Sequence, residues 1–112
     1  TSVLLPQSED EGKALENVFY MMLQRTLGED ERIFYFHDSE ECDFVVQRGD
    51  QVTELLQVCW TLDTSNTERE VRGLLAASAF TGCTNCKIIT HNQQTSIQQG
   101  DLTIEVLPVW RM

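Results

Sequence analysis

The stretch EECDFVVQRGDQVTELLQVCW, residues 40–60, decides the fold. Two apolar runs, 42–48 and 51–60, flank a Gly-Asp pair that marks a hairpin turn, so the stretch predicts two antiparallel strands. The second run ends in LLQVCW, which is almost continuously apolar. Strands of this kind are covered on both faces, which indicates a sheet with a helix packed on each side.

The segments on either side of the hairpin predict the other elements. Ser8 and Glu11 have the spacing of a capping box, and Thr67 and Glu70 repeat it, so each pair is expected to begin a helix. Apolar residues at helical spacing, among them Val18, follow the first pair. In chain order, the predicted elements are a helix over about 9–27, a strand over 32–37, the hairpin strands, a helix over about 67–81, a strand over 87–90, a polar loop or hairpin connection over 91–100, and a last, near-edge strand over 102–107.

This α-β-β-β-α-β-β order predicts an α/β fold on the border with α+β. A meander of three strands followed by a helical crossover gives a mixed sheet with helices on both faces. At 112 residues, the chain is expected to form one domain, residues 1–112. Because it begins at Thr1 and not at methionine, we expect it to be a fragment of a longer protein.

Charge and cysteine content limit the partners. Eighteen acidic and eight basic residues give a net charge of −10, which opposes nucleic-acid binding, so a protein partner is favoured. No membrane span or signal segment is visible, which predicts a cytoplasmic chain. The spacing of the four cysteines fits no familiar zinc site, so we expect small buried thiols; they are Cys42, Cys59, Cys83 and Cys86.

Four polar side chains are expected to converge at the end of the hairpin. Alternation along paired strands places Asp43 close to Gln57, and Cys59 shares the face of Gln57. Glu16 lies at the border of the apolar face of the first helix, from which its carboxylate could reach the same place. Three of them have a simpler interpretation too: Asp43 as a strand-start residue, Gln57 as a hydrogen-bonded core amide and Cys59 as a small buried side chain.

Nearly the whole chain, from about Lys13 to Trp110, resembles a known domain. The stretches that carry the resemblance are ALENVFYMML, RIFYFHDSEECDFVVQRGDQVTELLQVCW, EREVRGLLAAS, KIIT and IEVLPVW. They are similar to the C-terminal domain of a family of bacterial and archaeal AAA-type ATPases, which itself resembles the PD-(D/E)xK restriction-endonuclease-like superfamily. By this resemblance, Glu16 matches the acid on the first helix and Asp43 the first metal-binding aspartate. Gln57 falls on the second acid and Cys59 on the lysine.

Both departures from the superfamily pattern weaken a nuclease site. Mg²⁺ prefers anionic oxygen ligands, and Gln57 offers a neutral carbonyl. A thiol at Cys59 cannot supply the cation that stabilises developing charge on phosphate. The resemblance therefore implies a catalytically silent interaction domain of an AAA-type ATPase, which is not itself an enzyme and holds no cofactor. No Gly-rich phosphate loop is present, so an ATP site would lie elsewhere in the parent chain.

Two other functions remain open. The first is a metal-dependent nuclease with a degenerate site, in which Glu16 and Asp43 bind Mg²⁺ or Mn²⁺ and a cation comes from Lys87 or Arg48. The second is a self-associating scaffold, a homo-oligomer suggested by the near-edge last strand and by aromatic residues such as Trp110.

Overall fold

The computed structural model describes the backbone of residues 7–111 and the side chains of residues 11–111. Two helices, six strands and a final 3₁₀ turn make up this part of the chain. In chain order they are α1 (Gln7–Thr26), β1 (Glu31–His37), β2 (Glu41–Arg48), β3 (Gln51–Val58), α2 (Thr67–Thr81), β4 (Cys86–Thr90), β5 (Thr95–Gln99), β6 (Leu102–Pro108) and the 3₁₀ turn (Val109–Arg111).

The strands form one mixed sheet in the order β1-β2-β3-β4-β6-β5. The first three strands are an antiparallel meander, and Gly49 turns from β2 to β3 with a φ of +61°, a conformation that glycine adopts without strain. β4 lies parallel to β3, because the chain crosses over through α2, and β6 lies parallel to β4. β5 pairs antiparallel with β6 and forms the far edge. The mixed sheet predicted from the sequence is confirmed.

The helices cover opposite faces of this sheet. Leu56 of β3 packs in one apolar cluster with Phe19 of α1, whereas Leu55, its neighbour, packs in the other with Leu74 of α2. Consecutive residues of a strand point to opposite faces, so the two helices lie on opposite sides. All four of these apolar side chains are at most 1% exposed, which explains why the sequence of β3 is apolar on both faces.

The predicted order of elements is confirmed, with one strand more than expected. β5 lies inside the 91–100 segment predicted as a loop or hairpin connection, and it makes β6 the second strand from the edge. The sequence TSIQQ is almost entirely polar. Ile97 alone in this strand is partly buried, and it packs against the apolar cluster on the α2 side. An edge strand facing solvent needs little apolar patterning, so this one left no clear signal.

Two details of the helices differ from the expectations, and a third falls outside the described side chains. Val18 was predicted on the apolar face of α1, but it is 50% exposed, because only the row through Leu15, Phe19 and Leu23 meets the sheet. Ser8 and its predicted cap lie outside the residues whose side chains are described. Asn66 is the N-cap of α2 and makes no side-chain cap hydrogen bond, so the capping box predicted for Thr67 and Glu70 is wrong.

Two further predictions concerned the cysteines and a membrane span. All four cysteines are free and buried, as expected, and they pack in the apolar cluster on the α2 side. Neither helix among residues 7–111 is long and apolar enough to cross a membrane.

Candidate functional site

Asp43 lies at a β-bulge in β2. Phe34 of β1 is opposite Val45, whereas Phe36 is opposite Cys42, so two steps along β1 match three along β2. The extra residue belongs to β2, at the position of Asp43 and Phe44. Bulges turn side chains out of the regular alternation and are common beside functional sites.

On the other side of β2, the regular pairing with β3 stops short of Asp43, and two side chains bond to the backbone there instead. The regular register ends at Phe44 opposite Leu56. Beyond it, the backbone N–H of Asp43 donates to Oε1 of Gln57 at 2.9 Å. The backbone N–H of Val58 donates to Oδ2 of Asp43, also at 2.9 Å. These bonds satisfy backbone groups that lie beyond the regular β2–β3 register.

The Gln57 amide is fully engaged inside the protein. Besides the bond from Asp43, its Nε2 donates to the carbonyl oxygens of Glu41 at 2.8 Å and Glu70 at 3.1 Å. Gln57 is 2% exposed, so these bonds replace the water that a buried amide would lose. The side chain therefore joins β2, β3 and α2, and both ends of its amide are held by the backbone.

Gly73 makes this close approach of α2 possible. A Cβ atom at this position would collide with the carbonyl oxygen of Glu41 and with Nε2 of Gln57. The absence of a side chain lets the helix lie directly on the end of β2, where the Gln57 amide reaches the carbonyl of Glu70. The glycine is therefore required by packing and not by its backbone angles.

A cleft of about 940 Å³ opens at this end of the hairpin, between the N-terminal halves of the two helices. We call it the hairpin-end cleft. The four predicted site residues, Glu16, Asp43, Gln57 and Cys59, all line it. The structure thus brings together the residues that the sequence predicted to converge, and it adds Glu70, whose side chain turns into the same cleft.

Two carboxyl groups in the cleft hold protons more tightly than usual. Burial raises the pKa of Asp43 to about 7, the N–H of Val58 opposes the rise, and the carboxylate of Glu16 adds to it. Burial also raises the pKa of Glu70, while the guanidinium of Arg69, 3.3 Å from Oε2, opposes that rise. Near neutral pH, Asp43 is consequently only partly ionised.

At the rim of the cleft, the carboxyl group of Glu41 loses its proton more readily than usual. Its carboxylate accepts a hydrogen bond from the Tyr35 hydroxyl at 2.6 Å and lies 3.0 Å from Nδ1 of His37. These contacts lower the pKa of Glu41, and the Glu41 carboxylate raises the pKa of Tyr35 to about 12. His37 therefore stands at the strand end and at the mouth of the cleft, with a carboxylate as its partner.

The cations and the thiol bear on any phosphate chemistry. Lys87 pairs with Glu54, and Arg48 pairs with Asp30 at 3.2 Å. Neither lines the cleft, so the expectation that one of them supplies a cation there is wrong. Burial raises the pKa of the Cys59 thiol to about 12, so it is neutral at physiological pH.

Three other cations, which were not predicted to belong to the site, line the cleft: Lys13, Arg69 and Arg72. Arg72 pairs with Glu40 at 3.3 Å and with Glu68 at 2.6 Å. Arg69 pairs with Glu70, as described above. The two arginines are thus paired with Glu40 and Glu70 of the cleft lining and with Glu68 beside it.

The donor set does not fit Mg²⁺ or Mn²⁺. Of the two carboxylates predicted to bind metal, Asp43 uses Oδ2 to accept a backbone N–H. Glu70, which lines the same cleft as Glu16, pairs with Arg69 at 3.3 Å. Among the side chains of residues 11–111, no three His, Cys, Asp or Glu groups are placed so that they could hold one ion. A carbonyl oxygen of Gln57 already occupied by a donor does not complete the set.

Comparisons with known proteins add one relative. No family model matches the chain, and no solved structure does. Uncharacterized protein MJ1544 of Methanocaldococcus jannaschii is 31% identical over an alignment of 112 positions, which covers 93% of this chain and 25% of the relative. The chain thus spans about a quarter of the length of the curated relative that it matches.

Proposed function

We propose that this chain is a catalytically silent domain of the PD-(D/E)xK type, which serves an AAA-type ATPase in the cytoplasm as an interaction or regulatory module. The observation that carries the proposal is the engagement of Gln57. At the position where the superfamily resemblance expects the second acid, the amide makes three hydrogen bonds to backbone groups. A side chain in that role stabilises the frame and is not free to bind a metal or a substrate.

The charges of the cleft support the same conclusion. A nuclease site must attract phosphate, and here acids outnumber cations in the lining of the cleft. Three cations, Lys13, Arg69 and Arg72, stand against six acidic residues: Glu16, Glu40, Glu41, Asp43, Asp63 and Glu70. Cys59, at the position of the superfamily lysine, contributes a neutral thiol. Together with the net charge of −10, this excess of acids over cations disfavours a phosphate backbone and favours a protein partner.

The order of the elements supports the proposed superfamily. A helix, a three-stranded meander, a crossover helix and a parallel strand follow one another, with the helices on opposite faces. The resemblance implies that core. The relative in Methanocaldococcus jannaschii is about four times as long as the matched region, as a module inside a longer ATPase chain would require.

A plasmid-nicking assay tests the silent site. Supercoiled DNA is incubated with the chain and with Mg²⁺ or Mn²⁺, and we expect no nicking above the buffer control. Asp43→Ala is the site variant, and Asp50→Ala, in the exposed β2–β3 turn, is its matched control. Saturable nicking that Asp43→Ala abolishes and Asp50→Ala retains would overturn the proposal.

A degenerate but working nuclease is the second candidate, because Glu16 and Asp43 do line one cleft, together with Glu70. In that case, Mn²⁺ would bind at millimolar concentration, and replacing Glu16 with Gln would weaken the binding. Calorimetric titration of the chain with MnCl₂ decides between the two. Our proposal expects no saturable heat.

A further inference from the structure

The first strand of the sheet is a regular strand at one end of the strand order. β1 is seven residues long and pairs with β2 on one side, and it ends the sheet on the other. The extra residue of the bulge belongs to β2, so β1 alternates without interruption. Long, regular edge strands present unpaired N–H and C=O groups, and proteins commonly blunt them with lysine, proline or a bulge. β1 contains no lysine, proline or extra residue, and its charged side chains, Glu31 and Arg32, are confined to its first two positions.

Exposed aromatic side chains flank this edge on both faces. Phe34 is 46% exposed and Tyr35 is 58% exposed, and as neighbours on the strand they point to opposite faces. On the α2 side, the ring of Phe80, which is 78% exposed, lies 5.5 Å from the ring of Phe36. Exposed apolar groups beside an edge strand are typical of an interaction site. The opposite edge, β5, carries Thr, Ser and Gln side chains instead.

The orientation of the backbone groups follows from two hydrogen bonds at the ends of β1. Gly49 N–H donates to the carbonyl of Asp30, and Asp38 N–H donates to the carbonyl of Glu40, each at 3.0 Å. Even-numbered residues therefore direct their backbone groups toward β2. In an antiparallel ladder this role alternates, so Ile33 and Tyr35 direct theirs outward.

We propose that β1 pairs antiparallel with β1 of a second copy of the chain, around a two-fold axis at Phe34. Phe34 is the midpoint of Glu31–His37, so this register keeps all seven residues paired. It places the outward groups of Ile33 opposite those of Tyr35 and sets each Phe34 against its symmetry mate. The six-stranded sheets become one continuous sheet, as in other isologous interfaces.

Charge complementarity favours a second copy over an unrelated strand. In this register, Glu31 of each chain is opposite His37 of the other, so both ends of the paired region join an acid to an imidazole. The long-range repulsion between two copies of charge −10 opposes the contact. Added salt screens that repulsion, so dimerisation should strengthen between low and moderate ionic strength. The proposal depends on β1 and not on the cleft, so it stands apart from the proposed function.

Sedimentation equilibrium of the chain, from micromolar to millimolar concentration, tests the dimer. We expect a monomer–dimer equilibrium, and Phe34→Lys should raise its dissociation constant about tenfold or more, because two like charges then meet at the axis. Trp110→Lys, which changes a side chain that is 68% exposed elsewhere, is the matched control and should leave it unchanged. A chain that stays monomeric throughout, or a dimer equally weakened by both variants, would overturn the proposal.

Two further variants test the strand pairing and its register. Tyr35→Pro removes an outward N–H, whereas Tyr35→Ala removes the ring and keeps the N–H; we expect the proline variant to dimerise about tenfold or more weakly than the alanine variant. Phe34→Cys should form a disulfide-linked dimer on mild oxidation, because directly opposite residues lie within disulfide distance. The four native thiols are at most 8% exposed and do not compete. Equal dimerisation of the two Tyr35 variants, or no cross-link at position 34, refutes this interface.

Discussion

Replacing Gln57 with Glu restores the acid of the superfamily pattern and should cost the chain much of its stability. The amide donates two hydrogen bonds, to the carbonyls of Glu41 and Glu70, from a position that is 2% exposed. An ionised carboxylate has no donor and would face two carbonyl oxygens. Taking up a proton at pH 7 restores one donor, and for a glutamate with an ordinary pKa this costs about 4 kcal/mol. Leaving both carbonyls unpaired costs a similar amount, about 2–6 kcal/mol.

The pH dependence distinguishes this mechanism from a general packing defect. The pKa of the new glutamate is raised in the folded state above its unfolded value of about 4.3. The pH-dependent part of its penalty is therefore absent below that pH and grows as the pH rises, while the loss of one hydrogen bond remains at every pH. Between pH 7 and pH 5, the stability difference from the native chain should shrink by about 3 kcal/mol. Gln57→Met also loses the hydrogen bonds but cannot titrate, so its deficit should stay constant.

Urea unfolding of the three proteins at pH 5 and pH 7 measures both effects. The comparison is made at each pH against the native chain, which removes the contribution of the other acids. If Gln57→Glu is within about 1 kcal/mol of the native chain at pH 7, or if its deficit does not change with pH, the amide does not hold the backbone as described.

Other predictions concern single residues of the same frame. Burial raises the pKa of Asp43 to about 7, so its protonated form stabilises the fold. This stabilisation is lost as the pH rises from about 4 through 7. The melting temperature of Asp43→Asn should therefore change less between pH 5 and pH 8 than that of the native chain. Gly73→Ala should lower the free energy of unfolding in urea by about 3 kcal/mol or more, because its Cβ would collide with backbone. Gly12→Ala, with open space around it, should raise it by about 0.5–1 kcal/mol. Equal effects of the two variants would refute the close approach of α2. Lys87→Met leaves the half-buried carboxylate of Glu54 without its partner and should lower stability by about 2–4 kcal/mol, which thermal melting can measure and which an unchanged midpoint would contradict.

Much of the fold could be predicted because its signals are local. The Gly-Asp turn, the alternation of strands and the helical spacing in α1 and α2 each lie within about twenty residues, and they fixed the order of the elements. The convergence of Glu16, Asp43, Gln57 and Cys59 followed from strand alternation and a helical wheel. Strand β5 was missed because a solvent-facing edge needs no apolar pattern.

The interior of the cleft depends on contacts that sequence spacing does not encode. Glu70 has the spacing of a capping-box acid, and only the packing of α2 on β2 reveals that its side chain turns into the cleft. The bulge at Asp43 is a register shift between two strands, and the need for Gly73 comes from a carbonyl 32 positions earlier in the chain, that of Glu41. Such long-range placements decide whether a polar residue is a ligand or a structural bridge.

The strand order also sets the sequence of events during synthesis. The β1–β3 meander, residues 31–58, contains only neighbouring pairs, so it can form as soon as it leaves the ribosome. Until α2 and β4 emerge, its open side is β3, whose residues Leu55–Val58 are fully buried in the finished fold. A nascent chain that pauses before β4 is complete therefore exposes an apolar, unpaired strand, which is a template for aggregation. Rapid translation of residues 59–90 should favour soluble expression, and slowing it with rare codons should send the chain into inclusion bodies.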